Sequence, residues 1–151
     1  MKKTTKTFSL LIAFLLVVMM SPAKAQAYDC SSAVDKFCKA FDYMTLQAKQ
    51  INSLEALDTI DIDKAMNNSG LNGVPDSCIS YKLTTADKNK LIKSLNGFMD
   101  AMSDKIYNLA GGMVTRDIVD SEFRPMKDAL KKAVNSSTTL GEMLEKVQNI
   151  L

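Results

Sequence analysis

The sequence contains no histidine and no tryptophan among its 151 residues. Histidine is the most frequent general base in enzymes and the most frequent ligand of transition metals. A chain without histidine therefore lacks the usual general base and the usual metal ligand. The chain also lacks a nucleophile elbow, a zinc-protease motif, a P-loop and a glycine-rich dinucleotide-binding loop. It therefore predicts a protein without enzymatic activity, metal or cofactor. A helical hydrolase can use a single glutamate, but no flanking motif favours any of Glu55, Glu122, Glu142 and Glu145.

The N-terminal residues have the three-part pattern of a secretory signal peptide. Three lysines precede an unbroken apolar run at residues 10–20, and Ala23-Lys24-Ala25 follows as a cleavage site. An apolar run of this length is too short to cross a hydrocarbon core of ~30 Å. The sequence therefore predicts a cleavable signal peptide at residues 1–25 and an exported chain, periplasmic or secreted, with no stable membrane span after cleavage.

Removal of the leader changes the net charge. The leader carries four of the 19 basic residues and none of the 17 acidic ones, so 15 basic residues remain against 17 and the net charge becomes −2. The one remaining basic pair, Lys131-Lys132, is too small for the basic surface that nucleic acids require. We expect no nucleic-acid partner.

Three cysteines, Cys30, Cys38 and Cys78, lie in the predicted mature chain, where export permits disulfide bonds. An odd number leaves one thiol over. Cys38 falls on the apolar face of the first predicted helix and Cys78 leads into the next apolar segment, which favours a bond between these two. A bond between Cys30 and Cys78 stays open as the alternative. Without a CxxC motif or a histidine, the cysteines do not indicate a redox-active thiol.

Apolar residues recur at three- and four-residue steps in several long segments, the pattern of amphipathic helices. The first predicted helix covers residues 33–51, after a capping pair formed by Ser32 and Asp35. Leu46 lies off its apolar stripe, which predicts a second neighbour for the helix at that position.

The longest predicted helix begins after a capping pair, Thr84 and Asp87, and ends at Gly111-Gly112. The next helix starts near residues 115–117 and contains Pro125. The proline predicts one of two outcomes: the helix kinks there, or a new helix starts near Ser121 with the proline in its first turn.

Residues 135–137 predict a turn, and Thr139 begins the capping pair of a last helix. Residues 59–62 and 79–83 alternate apolar and polar side chains, which is compatible with a minor two-stranded ribbon. The sum is one all-α domain at residues 26–151, a small up-and-down bundle of four to five helices.

The irregular stretch at residues 67–80 is the candidate contact region, because binding residues favour loops held by a rigid scaffold. Its alternative interpretation is a plain connector that Cys78 ties down. The helix faces also carry many methionines, which either fill the core or line an adaptable apolar groove for a lipid or a partner helix. They are Met44, Met66, Met99, Met102, Met113, Met126 and Met143.

Asp58, Asp61 and Asp63 form an acidic cluster whose spacing does not fit a calcium loop. Within it, Asp58-Thr59-Ile60 resembles the Asp-Ser/Thr-apolar acceptor site of an O-glycosylation system in some Gram-negative bacteria. The resemblance covers three residues and implies that Thr59 is a glycan acceptor.

We expect a small exported, non-catalytic helical protein that binds another protein as an adaptor, an inhibitor or a subunit, in the cell envelope or outside the cell. The alternative is a carrier of a lipid or another hydrophobic small molecule. A carrier requires part of the wide stripe of the longest helix, at Ile92, Met99 and Ala110, to stay unpacked around a cavity. A packed core with exposed apolar side chains indicates a protein partner instead.

Overall fold

The structure, a computed structural model, describes residues 28–150, except the side chain of Gln148. The predicted signal peptide, residues 1–25, lies outside this range. Within it the chain forms five α-helices and no strand, which confirms the all-α fold. The helices are α1 (Ser31–Gln50), α2 (Ile62–Ser69), α3 (Thr85–Leu109), α4 (Arg116–Ser136) and α5 (Leu140–Ile150).

Helix α1 buries the predicted apolar stripe, but its N-cap position is Cys30 and the preceding Asp29 holds the first turn. The carboxylate of Asp29 accepts hydrogen bonds from the backbone N–H and the hydroxyl of Ser31, at 3.0 and 2.7 Å. These bonds lower the pKa of Asp29. Ser32 instead donates to the Asp29 carbonyl, so the predicted capping pair of Ser32 and Asp35 is wrong. The helix begins at Ser31, two residues earlier than a cap at Ser32 requires.

Helix α3 agrees with its prediction at both ends. Thr84 and Asp87 form a reciprocal capping box, and Gly111 and Gly112, which follow the helix, have positive φ angles of 57° and 86°. Burial alone would raise the pKa of Asp87, but hydrogen bonds from Thr84 and from the hydroxyl of Tyr81 lower it overall. With 25 residues the helix is about 37 Å long and forms the axis of the bundle.

Helix α4 is continuous from Arg116 to Ser136, with Pro125 inside it. The alternative in which a new helix starts near Ser121 is therefore wrong. The predicted turn at residues 135–137 is also shifted, because the helix continues through Ser136 and Ser137 is its C-cap. The Ser137 hydroxyl donates to the Ala133 carbonyl at 2.7 Å, which satisfies this buried side chain at the helix end.

The predicted ribbon does not form. Residues Glu55–Thr59 and Asp76–Ser80 are short 3-10 helices, and Asp61 caps α2 by accepting from the N–H of Lys64 at 2.8 Å. Because Asp61 caps a helix, the alternating residues at 60–62 lead into α2 and do not form a strand. Tyr81 and Leu83 pair instead with the chain before α5, through one isolated bridge between Lys82 and Thr139.

The core lies between α1, α3 and the elements that flank them. Phe41 of α1 contacts Phe98 of α3, with ring centroids 6.0 Å apart. Helix α2 packs on α1, α4 packs on α3, and α5 packs on α4. Five methionines fill this interior and are each at most 3% exposed: Met44, Met66, Met99, Met102 and Met143. Among residues 28–150, no helix is both long enough and apolar enough to cross a membrane.

Candidate functional site

The disulfide bond joins Cys30 to Cys78, with the Cα atoms 5.3 Å apart, and Cys38 is a free thiol. The favoured pairing of Cys38 with Cys78 is therefore wrong, and the alternative is correct. Cys30 and Cys38 are separated by about 12 Å of helical rise, so one loop cysteine cannot reach both. Cys38 lies at the α1–α3 contact, beside Ser94, where burial raises the pKa of its thiol.

The candidate contact region at residues 67–80 is anchored at three points. Leu71, Val74 and Cys78 are buried, and Cys78 carries the disulfide. Gly70 ends α2 in the left-handed conformation at φ 73° and turns the chain into this region. Of its large apolar side chains, Ile79 is 39% exposed. The segment is thus a tethered connector, and a contact role for it stays a prediction.

The carboxylates of residues 28–150 do not form a site for acid catalysis that the structure supports. Asp87 is the one carboxylate buried within residues 28–150, and its pKa is lowered, whereas a general acid needs a raised one. Glu142 accepts from the backbone N–H of Thr138 at 2.7 Å and serves the start of α5. In the described part of the chain, no three cysteine, aspartate or glutamate side chains are placed to hold a metal ion.

An open groove of about 460 Å³ lies at the C-terminal end of α1. Buried Ile51 and Ile60 contribute to its floor. Its walls carry side-chain amides, hydroxyls, one carboxylate and one ammonium group, so the groove has many hydrogen-bonding groups and no net charge. The polar lining residues are Gln47, Gln50, Asn52, Ser53, Thr59, Asp61 and Lys64.

One wall of the groove shows how such an amide binds a polypeptide backbone. The amide of Gln47 donates to the carbonyl of Asp61 at 3.0 Å and accepts from its N–H at 2.6 Å. Thr59 donates its hydroxyl to the Ala56 carbonyl and is exposed at the edge of the groove. The amides of Gln50 and Asn52 make no hydrogen bond to any residue of the described range and remain open to a ligand.

The outer face of α1 borders this groove. We define it by the exposed side chains on the side of the helix opposite the core: Lys39, Asp42, Tyr43, Leu46, Lys49 and Gln50. Tyr43 is 37% and Leu46 is 55% exposed. The sequence predicts a second neighbour at Leu46, and no element in residues 28–150 covers it. Leu54, just past the end of the helix, is exposed to 37% as well.

A second group of exposed apolar side chains lies at the α3–α4 turn. Met113 is 79% and Ile118 is 45% exposed. Arg116 lies over the ring of Tyr107, 5.6 Å from its centroid, and pairs with Asp104 and Asp120 at 2.6 and 3.0 Å. Its ion pairs hold the turn in place, and Met113 is the most exposed large apolar side chain there.

Comparison of the chain with protein-family models, with curated proteins and with solved structures finds no match. The candidate site therefore rests on its own geometry. Sequence reasoning singled out Leu46, Thr59 and Asp61 separately, but it missed the groove, because the groove forms where the end of α1 meets the start of α2.

Proposed function

We propose that this protein is a non-catalytic interaction module, an adaptor, an inhibitor or a subunit, and that it binds a segment of another protein in the groove at the end of α1. The observation that carries the proposal is a pair of unused amides, Gln50 and Asn52, above an apolar floor. Such amides pair with peptide N–H and C=O groups, as Gln47 does with Asp61.

The packing of the interior favours this function over the carrier. A carrier requires the stripe of α3 to stay unpacked, but Met99 is 1% and Ala110 is 4% exposed, and Ile92 packs against the core. The space that a hydrophobic ligand needs between the helices is thus occupied by side chains at these positions.

The proposed location is the cell envelope or the extracellular space. The lysine-rich leader pattern and the Cys30–Cys78 bond both support export. A disulfide of this kind persists outside the reducing cytosol.

The first experiment is native mass spectrometry of the protein purified gently from its own host, repeated under denaturing, non-reducing conditions. The proposal expects a complex with a second polypeptide that separates on denaturation. A mass excess of a few hundred daltons that disappears on denaturation would instead indicate the carrier.

Two variants then test the groove. Gln50→Ala with Asn52→Ala removes the open amides at exposed positions, and we expect at least a tenfold loss of affinity for the partner, as for two lost hydrogen bonds. Lys131→Ala with Lys132→Ala, on exposed positions of α4, is the control and should bind as the unaltered chain does. Equal binding by both variants would place the contact elsewhere.

A further inference from the structure

The outer face of α1 carries three exposed charged side chains without an ion pair in the described chain: Lys39, Asp42 and Lys49. Asp42 and Lys49 are both exposed, and every ion pair within residues 28–150 involves other side chains. They are seven residues apart, which is two helical turns, so they lie along the same edge of the face. Tyr43 and Leu46 lie beside them, and together the four side chains make an exposed stripe along α1.

We propose that two copies of this chain associate through the outer faces of their α1 helices, packed antiparallel about a two-fold axis. In this arrangement Tyr43 of each copy lies opposite Leu46 of the other. Asp42 of each copy then lies diagonally opposite Lys49 of the second copy. The symmetry produces each contact twice, so four apolar side chains are covered and two ion pairs form.

The charges select this orientation. In a parallel pair of helices, a residue at the edge of the contact lies opposite the partner residue whose number is five higher. Asp42 would then meet Gln47 of the second copy, and Lys49 would meet a position beyond the end of α1. Of the two orientations, only the antiparallel one gives both Asp42 and Lys49 a partner of opposite charge. The stripe is therefore complementary to itself, which is the condition for a two-fold contact.

This contact goes beyond the binding of a partner in the groove, because it rests on Asp42, Tyr43, Leu46 and Lys49, none of which lines the groove. The contact is small, so the association is weak, and we expect it in the range of ~0.1–1 mM protein. Two exposed ion pairs also make it weaker at high salt.

Charge reversal is the decisive test, with sedimentation velocity of the chain starting at Gln26 at ~0.5 mM, low salt and without reductant. Asp42→Lys alone and Lys49→Asp alone each turn two attractions into two repulsions and should lower the association constant about tenfold or more. The double reversal restores both pairs and should return the constant to within about threefold. The matched control, Asp128→Lys with Lys132→Asp on exposed α4, should dimerise unchanged.

A second pair of variants checks the apolar part. Leu46→Glu should abolish the dimer, whereas Ile118→Glu, at a comparably exposed position, should not. Circular dichroism verifies that each variant keeps its helices. Asn52→Ala, a groove variant, should also dimerise normally, which separates this proposal from the groove.

Three results would overturn the proposal. One is an unaltered chain that stays monomeric at ~1 mM and low salt, where the contact is expected. Another is a double reversal that is no better than the single ones. The third is a dimer that survives denaturation without reductant and disappears in Cys38→Ser, because an intermolecular disulfide would then be its cause.

Discussion

The bond between Cys30 and Cys78 ties two distant parts of the chain to the same place. Cys30 precedes the first turn of α1, and Cys78 lies fully buried in the segment that contacts α5. Just after this segment, Tyr81 and Leu83 form backbone hydrogen bonds with Leu140 and Thr138 at the start of α5. Loss of the disulfide therefore frees the start of α1 and the support of the C-terminal helix together.

The size of the effect follows from the length of the closed loop. The two cysteines are 48 residues apart. In the chain-entropy treatment, opening a loop of that length increases the entropy of the unfolded chain enough to cost about 4 kcal/mol of stability. For a chain of this size, that corresponds to a fall in Tm of roughly 15 °C.

Three single substitutions measure this effect and identify the pairing. Cys30→Ala and Cys78→Ala should each lower the free energy of unfolding by about 4 kcal/mol, and Cys78→Ala somewhat more, since its buried site is left with a small void. Cys38→Ser should change it by less than about 1 kcal/mol, because a serine hydroxyl can keep the contact with Ser94. The assay is urea unfolding of the oxidised proteins, followed by circular dichroism.

A pairing of Cys38 with Cys78 gives a different result. That loop is nearly as long, so the magnitude would be the same, but the large loss would move from Cys30→Ala to Cys38→Ser. That pattern would refute the pairing described here. A loss below about 1 kcal/mol in both Cys30→Ala and Cys78→Ala would refute the entropic argument itself.

Three further predictions concern single sites. Thr84→Ala removes one half of the capping box and should destabilise the protein by about 1 kcal/mol in urea unfolding, with Thr85→Ala as the control. Gly141→Ala drives a Cβ into Cγ2 of Ile79 and places it 3.1 Å from the Ile79 carbonyl oxygen, so we expect a loss of about 1–3 kcal/mol, which Ile79→Ala in the same chain should reduce. Burial raises the pKa of Cys38, so the native protein should react with iodoacetamide more slowly than the urea-unfolded one at pH 8, and equal rates would contradict the half-buried position of the thiol.

The helices with strong local signals were predictable. Thr84, Asp87 and the two glycines after residue 110 specify both ends of α3 without help from the rest of the chain. The apolar stripe of α1 likewise shows which side it buries. Because these signals act between residues that are close in the chain, they can be recognised without knowing the tertiary structure.

The predictions were wrong where the outcome depends on how two separate parts of the chain are arranged. The alternation at Ile60 and Ile62 suits a strand, but the cap that Asp61 gives to α2 decides for a helix. The choice between Cys30 and Cys38 depends on where the loop around Cys78 lies, which the sequence alone does not specify. The groove has the same origin, because its walls come from both sides of the turn after α1.

Leu46 shows what a sequence pattern can and cannot say about a site. The period of α1 places this residue off the apolar stripe, but a period does not tell whether a neighbour covers it. The structure shows that Leu46 is exposed, but a single exposed leucine is ordinary on a protein surface. The inference of a contact at Leu46 rests on the side chains around it. Tyr43 is exposed one turn before it, and Asp42 and Lys49, which have opposite charges and lie on one edge, form no ion pair within residues 28–150. When a second copy of this stripe is turned end to end, its Lys49 meets Asp42 and its Leu46 meets Tyr43. The stripe therefore fits a second copy of the chain better than an unrelated partner.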